Sequence, residues 1–330
     1  MKAQLINRFG DSSVFELTDI PKPIIKPGHV LIKVQATSVN QIDCKIRSGA
    51  VPAISPDFPA ILHGDVAGVI EAVASDVTNF KVGDEVYGCA GGLKNCGGAL
   101  AEFMLADAKL IARKPKSLSM LEAAALPLVS ITAWQALFDK AKLVNANTIL
   151  IHGGVGGVGH IAVQLAKYCG AKVYTTVLKN EDFSLAKSFG ADEVINAKEE
   201  DIEKYLARLT QNQGFDIVFD TVGGSNLDKS FIAAGVNAQV VTTAARSTHD
   251  LTPLHNKALS LHAVFMLLPL LMNQGREAHG KILAEIAKIV DQGKLKPLVD
   301  TRQFTLETVG DTHALLESGK ARGKVGIKID

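Results

Sequence analysis

A glycine-rich turn between a strand-like and a helix-like segment constrains the fold of this chain more than any other feature. Residues 152–170 read HGGVGGVGHIAVQLAKYCG, so that Gly154, Gly156 and Gly159 fit the spacing G-x-G-x-x-G. The first glycine of this motif allows a tight turn, the second admits a pyrophosphate close to the backbone, and the third lets helix and strand pack closely. The pattern predicts a dinucleotide-binding turn that includes Gly157 and Val158, and the alternative is a glycine-rich connection without a ligand. No Gly-Lys-Ser/Thr follows, which excludes a P-loop.

Segments of alternating strand-like and helix-like character surround this turn between residues 125 and 269. The strand candidates are NTILIHG, AKVYTTV, DEVIN, FDIVFDTVG, AQVVTT and LHAVFML, and amphipathic segments such as KEEDIEKYLARLTQ lie between them. Such alternation predicts a parallel sheet with helices on both faces. We therefore predict an α/β fold in which residues 125–269 form a Rossmann domain with a doubly wound, parallel, six-stranded sheet.

The segments on either side of this region have a different pattern. Residues 1–124 contain short strand-like runs, such as VLIKVQATSV and GDVAGVIEAVA, that are broken by glycine and proline. This pattern is typical of a mainly β domain. The 330 residues exceed the usual size of one core, so two domains are expected. Because the final strand, KVGIKID, has no parallel partner nearby, we predict that residues 270–330 return to complete the first domain.

The end of the second strand candidate indicates which dinucleotide binds. An NAD site places an acid about 20 residues after the glycines, where it bonds the ribose 2′-OH. Thr176 and Lys179 occupy this window instead, and they offer a hydroxyl and an ammonium to a 2′-phosphate. The window favours NADPH over NADH, although Glu181 and Asp182 follow closely.

Further cofactor contacts are expected where other strands end, because ligands cross the carboxyl ends of strands in such sheets. The candidates are Asp220, Val222, Thr242, Thr243, Phe265 and Met266. The alternatives are a plain strand end or, for the last two residues, a core position.

Composition and charge limit the partners. A formal net charge of +1, with no basic stretch interleaved with aromatic residues, argues against nucleic acid. The longest apolar run, residues 263–272, is about half of the roughly 20 residues that a membrane-spanning helix needs, so we predict a buried strand or core helix and no membrane contact. The four cysteines are scattered without a C-x-x-C pair, which suits a reducing, cytoplasmic setting.

Several motifs, in this order, resemble those of the medium-chain dehydrogenase/reductase superfamily. They are FPAILHGDVAGVIEAVASDVTNFKVGDEVYG, GGALAEF, AAALPLVSITAWQAL, the glycine turn and GKARGKVGIKI. The chain is more closely similar to the zinc-free quinone oxidoreductase branch, the zeta-crystallin-like proteins. The resemblance implies a GroES-like catalytic domain at residues 1–124, completed by 270–330, together with an NADP-binding Rossmann domain and a homodimer.

The chain departs from the zinc-containing members of this superfamily at the ligand positions. Gly64 stands where those enzymes carry a zinc histidine, and His63 comes one position too early. A structural zinc lobe needs four closely spaced cysteines, but this segment has only Cys89 and Cys96. We predict no bound metal, with His63, Cys89 and Cys96 as structural or loop residues.

The resemblance also implies the catalytic residues. The segment SVNQIDCKIR is similar to the Asn-x-x-Asp pattern of quinone reductases, which implies that Asn40 and Asp43 lie near the nicotinamide and that Lys45 is a candidate donor to the substrate oxyanion. Thr132 matches a threonine beside the nicotinamide, and Lys324 matches a residue that reaches the cofactor. Each assignment has an alternative. The segment with Asn40, Asp43 and Lys45 could be a loop that only shapes the site, the Thr132 hydroxyl could bond back to the preceding helical turn, and Lys324 could lie in a solvated basic turn.

The missing zinc ligands limit the reactions that this chain could catalyse. Alcohol oxidation needs a zinc Lewis acid or a Tyr/Lys or His base to remove the hydroxyl proton, whereas quinones and α,β-unsaturated carbonyls need mainly hydrogen-bond donors to the developing oxyanion. We predict an NADPH-dependent reductase that transfers hydride to small quinones, enones or enals without zinc. The alternatives are a zinc-type alcohol dehydrogenase and a non-catalytic, zeta-crystallin-like protein that binds NADPH and RNA.

Overall fold

A computed structural model of the chain describes residues 1–329, and its internal contacts gather into two units. One unit joins Met1–Ile131 to the segment from Leu267 onward, and the other is Thr132–Met266. The domain limits that the sequence suggests, 1–124 with 270–330 and 125–269, stay a prediction.

Along the chain, a β-rich part is followed by a part in which strands and helices alternate, and then by a mainly helical segment that ends in one strand. The strands are β1 Lys2–Ile6, β2 Phe15–Asp19, β3 His29–Val39, β4 Asp65–Val73, β5 Glu85–Cys89, β6 Phe103–Asp107, β7 Ile111–Arg113, β8 Thr148–Ile151, β9 Lys172–Val177, β10 Glu193–Asn196, β11 Phe215–Asp220, β12 Ala234–Thr242, β13 Ser260–Ala263 and β14 Val325–Lys328. The α-helices are α1 Gln41–Arg47, α2 Met120–Ala124, α3 Pro127–Trp134, α4 Gly159–Tyr168, α5 Phe183–Ser188, α6 Ile202–Thr210, α7 Ser225–Ala233, α8 Thr252–Asn256, α9 Leu268–Met272, α10 Glu277–Asp291 and α11 Val309–Glu317. A π-helical turn, Gln135–Lys140, continues α3.

The second unit contains a six-stranded sheet in the order β10-β9-β8-β11-β12-β13, with every neighbouring pair parallel. The first strand of the unit, β8, lies inside the sheet, and successive strands are added on both sides of it, which is the doubly wound order. Strands β8, β9 and β11 are buried over most of their length because their branched and aromatic side chains are covered on both faces. The predicted Rossmann sheet is confirmed.

The apolar run at residues 263–272 differs from its prediction as one buried strand or core helix. Ala263 ends β13, a turn follows, and α9 begins only at Leu268. Pro269 lies in the first turn of α9, where its fixed φ and missing N–H are tolerated, and the run divides before it, in the turn between Ala263 and Leu268. Leu268 and Met272 are 49% and 68% exposed. Across residues 1–329, no helix is both long enough and apolar enough to cross a lipid bilayer.

The first unit contains an antiparallel sheet in the order β14-β3-β4-β5-β7, with β6 also paired to β3. The long strand β3 pairs with β6 along its first half and with β14 along its second half. The register sets Val39 opposite Val325 and Ser38 opposite Asp65. The end of β3, the start of β4 and the start of β14 therefore meet at one place, and the predicted GroES-like, β-rich fold is confirmed.

Candidate active site

The glycine turn joins β8 to α4. Gly153 has a φ of 72°, in the left-handed region that glycine enters without a steric penalty. The Gly154 N–H donates to the Thr176 carbonyl at 2.9 Å, and the Gly156 N–H donates to the Gly153 carbonyl at 2.8 Å. The turn is thereby tied to itself and to β9 before Gly157 and Val158 lead into α4.

The three motif glycines differ in what a side chain would meet. A Cβ atom at Gly154 would lie 2.1 Å from Thr175 Oγ1, and one at Gly159 would lie 2.0 Å from the Gly153 carbonyl oxygen. At Gly156, which is exposed, the nearest atom is that same oxygen at 3.1 Å. Packing within the chain requires the first and third glycines, whereas Gly156 keeps a surface open beside the N-terminus of α4. The unpaired N–H groups and positive dipole end of a helix N-terminus suit a pyrophosphate.

Thr176 and Lys179 lie at the carboxyl end of β9 and just beyond it. The buried Thr176 hydroxyl oxygen accepts the Gly153 N–H at 3.1 Å and lies 3.4 Å from His152 Nδ1. Burial lowers the pKa of His152 to about 4, so this imidazole is neutral at neutral pH. Lys179 Nζ lies 3.2 Å from Glu181 Oε1, and their side chains are 66% and 70% exposed. Thr176 therefore supports the turn, and Lys179 presents a solvated ammonium beyond it.

Asp220, at the end of β11, is fully buried and holds the adjoining turn. Its carboxylate accepts the Val222 N–H at 3.0 Å, the Gly223 N–H at 3.1 Å, Asn226 Nδ2 at 2.8 Å and the Thr242 hydroxyl at 3.3 Å. These four donors belong to the protein, so Asp220 fixes the ends of β11 and β12 from within.

The other candidates of the second unit differ in exposure. Val222 is 59% exposed, Thr243 and Phe265 are half-buried, and Thr132, on α3, and Met266 are buried. The predicted contacts of these residues and of the turn with a cofactor, and the predicted catalytic role of Thr132, stay predictions.

A buried polar cluster lies in the first unit where β3 ends and β4 begins. At its centre is Asp65, which is 0% exposed. Its Oδ2 accepts the Ser38 hydroxyl at 2.9 Å and Asn40 Nδ2 at 2.8 Å, and its Oδ1 accepts the Leu128 N–H at 2.9 Å. Such saturation compensates for the desolvation of a buried carboxylate.

Lys324 directly precedes β14, and the pairing of β14 with β3 brings its ammonium into this cluster. Lys324 Nζ lies 3.0 Å from the Val39 carbonyl oxygen and 3.4 Å from Asp65 Oδ2, and it also donates to Asn40 Oδ1. An ammonium has three N–H groups, and here each has an acceptor within the protein. Lys324, which the resemblance implies to be a cofactor contact, is thus placed beside Asn40 as half of a buried ion pair.

Asp43 lies in the first turn of α1, and Asn40 is the N-cap of that helix. Asp43 Oδ2 accepts the Asn40 backbone N–H at 2.7 Å. Burial raises the pKa of Asp43 to about 7, and the nearby Asp65 adds to the rise, while Lys324 opposes it. The carboxyl therefore takes up a proton in the folded protein several pH units above the value of 3.8 for a free side chain.

Replacement of Asp43 by asparagine is expected to remove part of the pH dependence of stability. Because the folded pKa of about 7 exceeds the unfolded value of 3.8, the wild type loses stability as pH rises from about 4 to about 7. The slope is at most about 1.4 kcal/mol per pH unit. Asp43→Asn keeps the shape and cannot ionise, so its advantage over the wild type grows across this window. Thermal unfolding at several pH values measures the difference, with the exposed Asp57→Asn as control; parallel curves for wild type and Asp43→Asn would contradict the assignment.

Lys45 lies on the exposed side of α1, away from this cluster. Its neighbour Cys44 is buried, and burial raises the pKa of that thiol to about 12. The structure therefore brings Asn40, Asp43 and Lys324 together, and it leaves Lys45 in solvent, where its predicted role as an oxyanion donor stays a prediction.

His63 and Gly64 occupy the segment that matches the zinc-histidine position of the zinc-containing members. The imidazole of His63 is buried, with its Nε2 2.9 Å from Nε2 of the buried His313. Burial lowers the pKa of both rings, that of His313 to about 3. A Cβ atom at Gly64 would lie 2.9 Å from the Gly91 carbonyl oxygen and 3.0 Å from Cys89 Sγ, so a histidine does not fit there without a shift. In the part of the chain that the structure describes, no three His, Cys, Asp or Glu side chains form a group that could hold a metal ion.

Sequence reasoning missed Asp65, the centre of the cluster. Its signal is an acidic residue at the start of the apolar strand DVAGVIEAV. A carboxylate in such a strand must find several donors, and the chain supplies them from Ser38, Asn40 and Lys324. Sequence spacing alone does not connect these positions.

Two family profiles match the chain. Residues 26–116 match the alcohol dehydrogenase GroES-like domain, and residues 157–279 match the family described as zinc-binding dehydrogenase.

Individual proteins match over nearly the whole chain. The 2-methylene-furan-3-one reductase of Solanum lycopersicum is 35% identical over 99% of this chain and 79% of its own length. The quinone oxidoreductase of Homo sapiens is 30% identical over 98% of this chain and 97% of its own length. The crystal structure of Escherichia coli quinone oxidoreductase complexed with NADPH aligns with a TM-score of 0.89 at 26% identity, covering 99% of this chain and 98% of that one. The chain therefore belongs to the medium-chain dehydrogenase/reductase superfamily, within its quinone oxidoreductase-like branch.

Proposed function

We propose that this protein is an NADPH-dependent reductase that transfers hydride to quinones or α,β-unsaturated carbonyl compounds without zinc. The observation that carries the proposal is the glycine turn, in which Gly156 leaves the N-terminus of α4 open to a pyrophosphate. The names of the tomato and human relatives, and the NADPH in the Escherichia coli structure, support the cofactor and the class of acceptor.

Bound NADPH supplies the hydride, and the residues of this chain bind the cofactor. We assign the pyrophosphate to the turn around Gly156 and the 2′-phosphate to Lys179. To bind that phosphate, Lys179 must leave Glu181; both side chains are more than half exposed, so the exchange costs at most about 1 kcal/mol. Thr176 contributes by bracing Gly153.

The acceptor class follows from what the first unit offers. A conjugated acceptor needs hydrogen-bond donors for the oxygen on which charge develops. The cluster around Asp65 contains the side-chain amide of Asn40, and position 64 has no space for an added ligand side chain. These features support hydride transfer to an activated C=C or quinone without a metal.

Assembly and location form a further part of the proposal. We propose a homodimer, because β13 is an edge strand of its sheet and Leu261 in it is 38% exposed, so that a second copy would cover both. The free thiols of Cys44, Cys89, Cys96 and Cys169 support a reducing, cytoplasmic setting. With a net charge of +1, the protein has little electrostatic attraction for nucleic acid. We propose a small molecule as its substrate.

A panel of acceptors tests the activity. NADPH oxidation is followed by absorbance with a quinone, an alkenal, a saturated aldehyde and no acceptor, and the series is repeated with NADH and after dialysis against a chelator. We expect turnover with the quinone or the alkenal, a preference for NADPH, and no loss after chelation.

Each failure of this test has a distinct meaning. Turnover of the saturated aldehyde alone, lost on chelation, would identify a zinc-type alcohol dehydrogenase. Tight NADPH binding without any turnover would identify a binding protein, and RNA would then be titrated as its ligand. A clear preference for NADH would refute the role of Lys179.

A further inference from the structure

A serine, a histidine and an aspartate form a hydrogen-bonded chain in the second unit. Ser247 Oγ lies 2.6 Å from His249 Nε2, and His249 Nδ1 lies 2.8 Å from Asp228 Oδ1. The serine and the histidine belong to the segment between β12 and α8, and Asp228 lies in the first turn of α7. The proposed reductase function uses none of these side chains. A nucleophile, a base and a carboxylate therefore lie within hydrogen-bond distance in the order that acyl transfer uses.

The carboxylate of Asp228 fixes the tautomer of His249. A carboxylate only accepts hydrogen bonds, so Nδ1 of the imidazole carries a hydrogen. In the neutral ring Nε2 is then a bare acceptor, and the Ser247 hydroxyl is the donor to it. The imidazole is therefore in the form that can take the serine proton.

The histidine is enclosed, whereas the serine faces solvent. The side chain of His249 is 8% exposed, and its ring meets that of Phe231 edge to face, with centroids 6.3 Å apart. Ser247 is exposed, so a small molecule can reach its oxygen. Within residues 1–329, the backbone N–H groups of Arg246, Ser247 and Thr248 have no acceptor. Such N–H groups are the usual donors to the oxyanion that forms in acyl transfer.

The segment that carries the serine and the histidine is tied down at both ends. The Ala244 N–H donates to the Thr242 hydroxyl at 3.1 Å, and the Thr252 N–H donates to the Asp250 carboxylate at 2.9 Å. Both anchors lie within a few residues of the two reactive groups. The segment is therefore held close to the geometry that catalysis by positioned side chains requires.

We propose that Ser247, His249 and Asp228 form a second catalytic site, which hydrolyses small, activated carboxylic esters. The Ser247 oxygen bonds to the ester carbonyl carbon while His249 Nε2 takes the serine proton. His249 then returns this proton to the leaving oxygen as the bond between that oxygen and the carbonyl carbon breaks. Water releases the acyl group as a carboxylic acid by the same two steps, which restores the serine hydroxyl. Asp228 is a positioning residue that keeps the imidazole in its tautomer.

The exposure of Ser247 limits the class of substrate. An exposed serine offers little enclosed surface for a large acyl group, so binding contributes little and the ester must have a good leaving group. Aryl esters of short acids meet both conditions. This activity goes beyond the reductase function and does not depend on it.

Two probes test the site. A fluorophosphonate labels the nucleophile, which peptide mass spectrometry locates, and release of nitrophenolate from p-nitrophenyl acetate measures turnover. The variants are Ser247→Ala, His249→Gln and Asp228→Asn. The controls are Ser13→Ala and His255→Gln, because both residues are exposed and neither belongs to a serine–histidine pair. Thermal unfolding shows that each variant is folded.

We expect the fluorophosphonate label on Ser247. Ser247→Ala and His249→Gln should each lower kcat for the ester about 10²-fold or more, because one removes the nucleophile and the other its general base. Asp228→Asn should lower kcat about tenfold while the serine still accepts the label, since the ring keeps its place but loses its fixed tautomer. Both controls should match the wild type.

Three results would overturn the proposal. The first is a wild type that carries no label, or carries it on another residue. The second is ester turnover by Ser247→Ala within about twofold of the wild type, which would leave the three side chains a purely structural link between the segment and α7. The third is a loss in His249→Gln with full turnover in Ser247→Ala, which would make the imidazole itself the nucleophile. These assays contain no NADPH, so their outcome is independent of the test of the proposed function.

Discussion

Gly159→Ala is expected to destabilise the second unit and to abolish tight NADPH binding. The added Cβ would lie 2.0 Å from the Gly153 carbonyl oxygen, so backbone rather than a flexible side chain has to move. Overpacking of this kind costs about 1–3 kcal/mol or more. The displaced carbonyl belongs to the glycine turn, so the N–H groups of the turn no longer point together at the pyrophosphate of NADPH. Thermal unfolding and a fluorescence titration with NADPH measure the two effects.

Gly156→Ala separates binding from stability at the same turn. Its Cβ would approach the Gly153 carbonyl oxygen only to 3.1 Å, which the turn absorbs by a shift of a few tenths of an ångström. Stability should change by less than about 1 kcal/mol, since alanine also reduces the entropy of the unfolded chain. The methyl group occupies the open surface, so the affinity for NADPH should fall about tenfold or more, which corresponds to about 1.4 kcal/mol.

Gly97→Ala is the matched control for both variants, because a Cβ there meets no atom within 4 Å. It should leave NADPH affinity unchanged and alter stability only by the gain of up to about 1 kcal/mol that alanine brings by restricting the unfolded chain. Unchanged NADPH affinity in Gly156→Ala would show that the cofactor binds elsewhere.

Lys324→Met is expected to cost about 3–5 kcal/mol of stability, because it leaves the carboxylate of Asp65 buried without its cation. The two side chains are 3% and 0% exposed, so solvent cannot replace the lost partner. Adding Asp65→Asn removes the uncompensated charge and should restore much of the loss. Calorimetric unfolding of the single and double variants gives the comparison.

The exposed pair Lys22–Glu71 provides the control for this prediction. Its atoms lie 2.6 Å apart, yet the side chains are 39% and 43% exposed. Lys22→Met should therefore cost less than about 1 kcal/mol. Equal losses in Lys22→Met and Lys324→Met would mean that burial does not govern the strength of these ion pairs.

The architecture of the second unit was predictable because its signals are local. Each strand candidate is a short run of branched residues, and the glycine spacing marks the turn between β8 and α4. The return of the final strand to the first unit was inferred from its lack of a nearby partner, and β14 does pair with β3. The prediction for the run at 263–272 was wrong because the run is interrupted by the turn before Leu268. Pro269, in the first turn of α9, is the local signal of that helix start, and hydrophobicity alone obscures it.

The buried cluster was less predictable because its contacts are distant in sequence. The resemblance implied Asn40, Asp43 and Lys324, but it did not imply Asp65 or the contact among them, because Asp65 and Lys324 lie 25 and 284 residues from Asn40. Strand pairing brings them together, and pairing register is a property of the folded sheet. The same reason hides the contact between His63 and His313, which are 250 residues apart.

The pairing of β14 with β3 also sets an order of events during synthesis. Asp65 leaves the ribosome 259 residues before the lysine that pairs with it. Meanwhile the continuous segment Thr132–Met266, with strands β8 to β13, is complete before β14 has been made. Burying the Asp65 carboxylate without the Lys324 ammonium is costly, so we expect the first unit to remain incompletely folded until β14 has been synthesised. The second unit, although encoded in the middle of the chain, is therefore the one expected to fold first as translation proceeds.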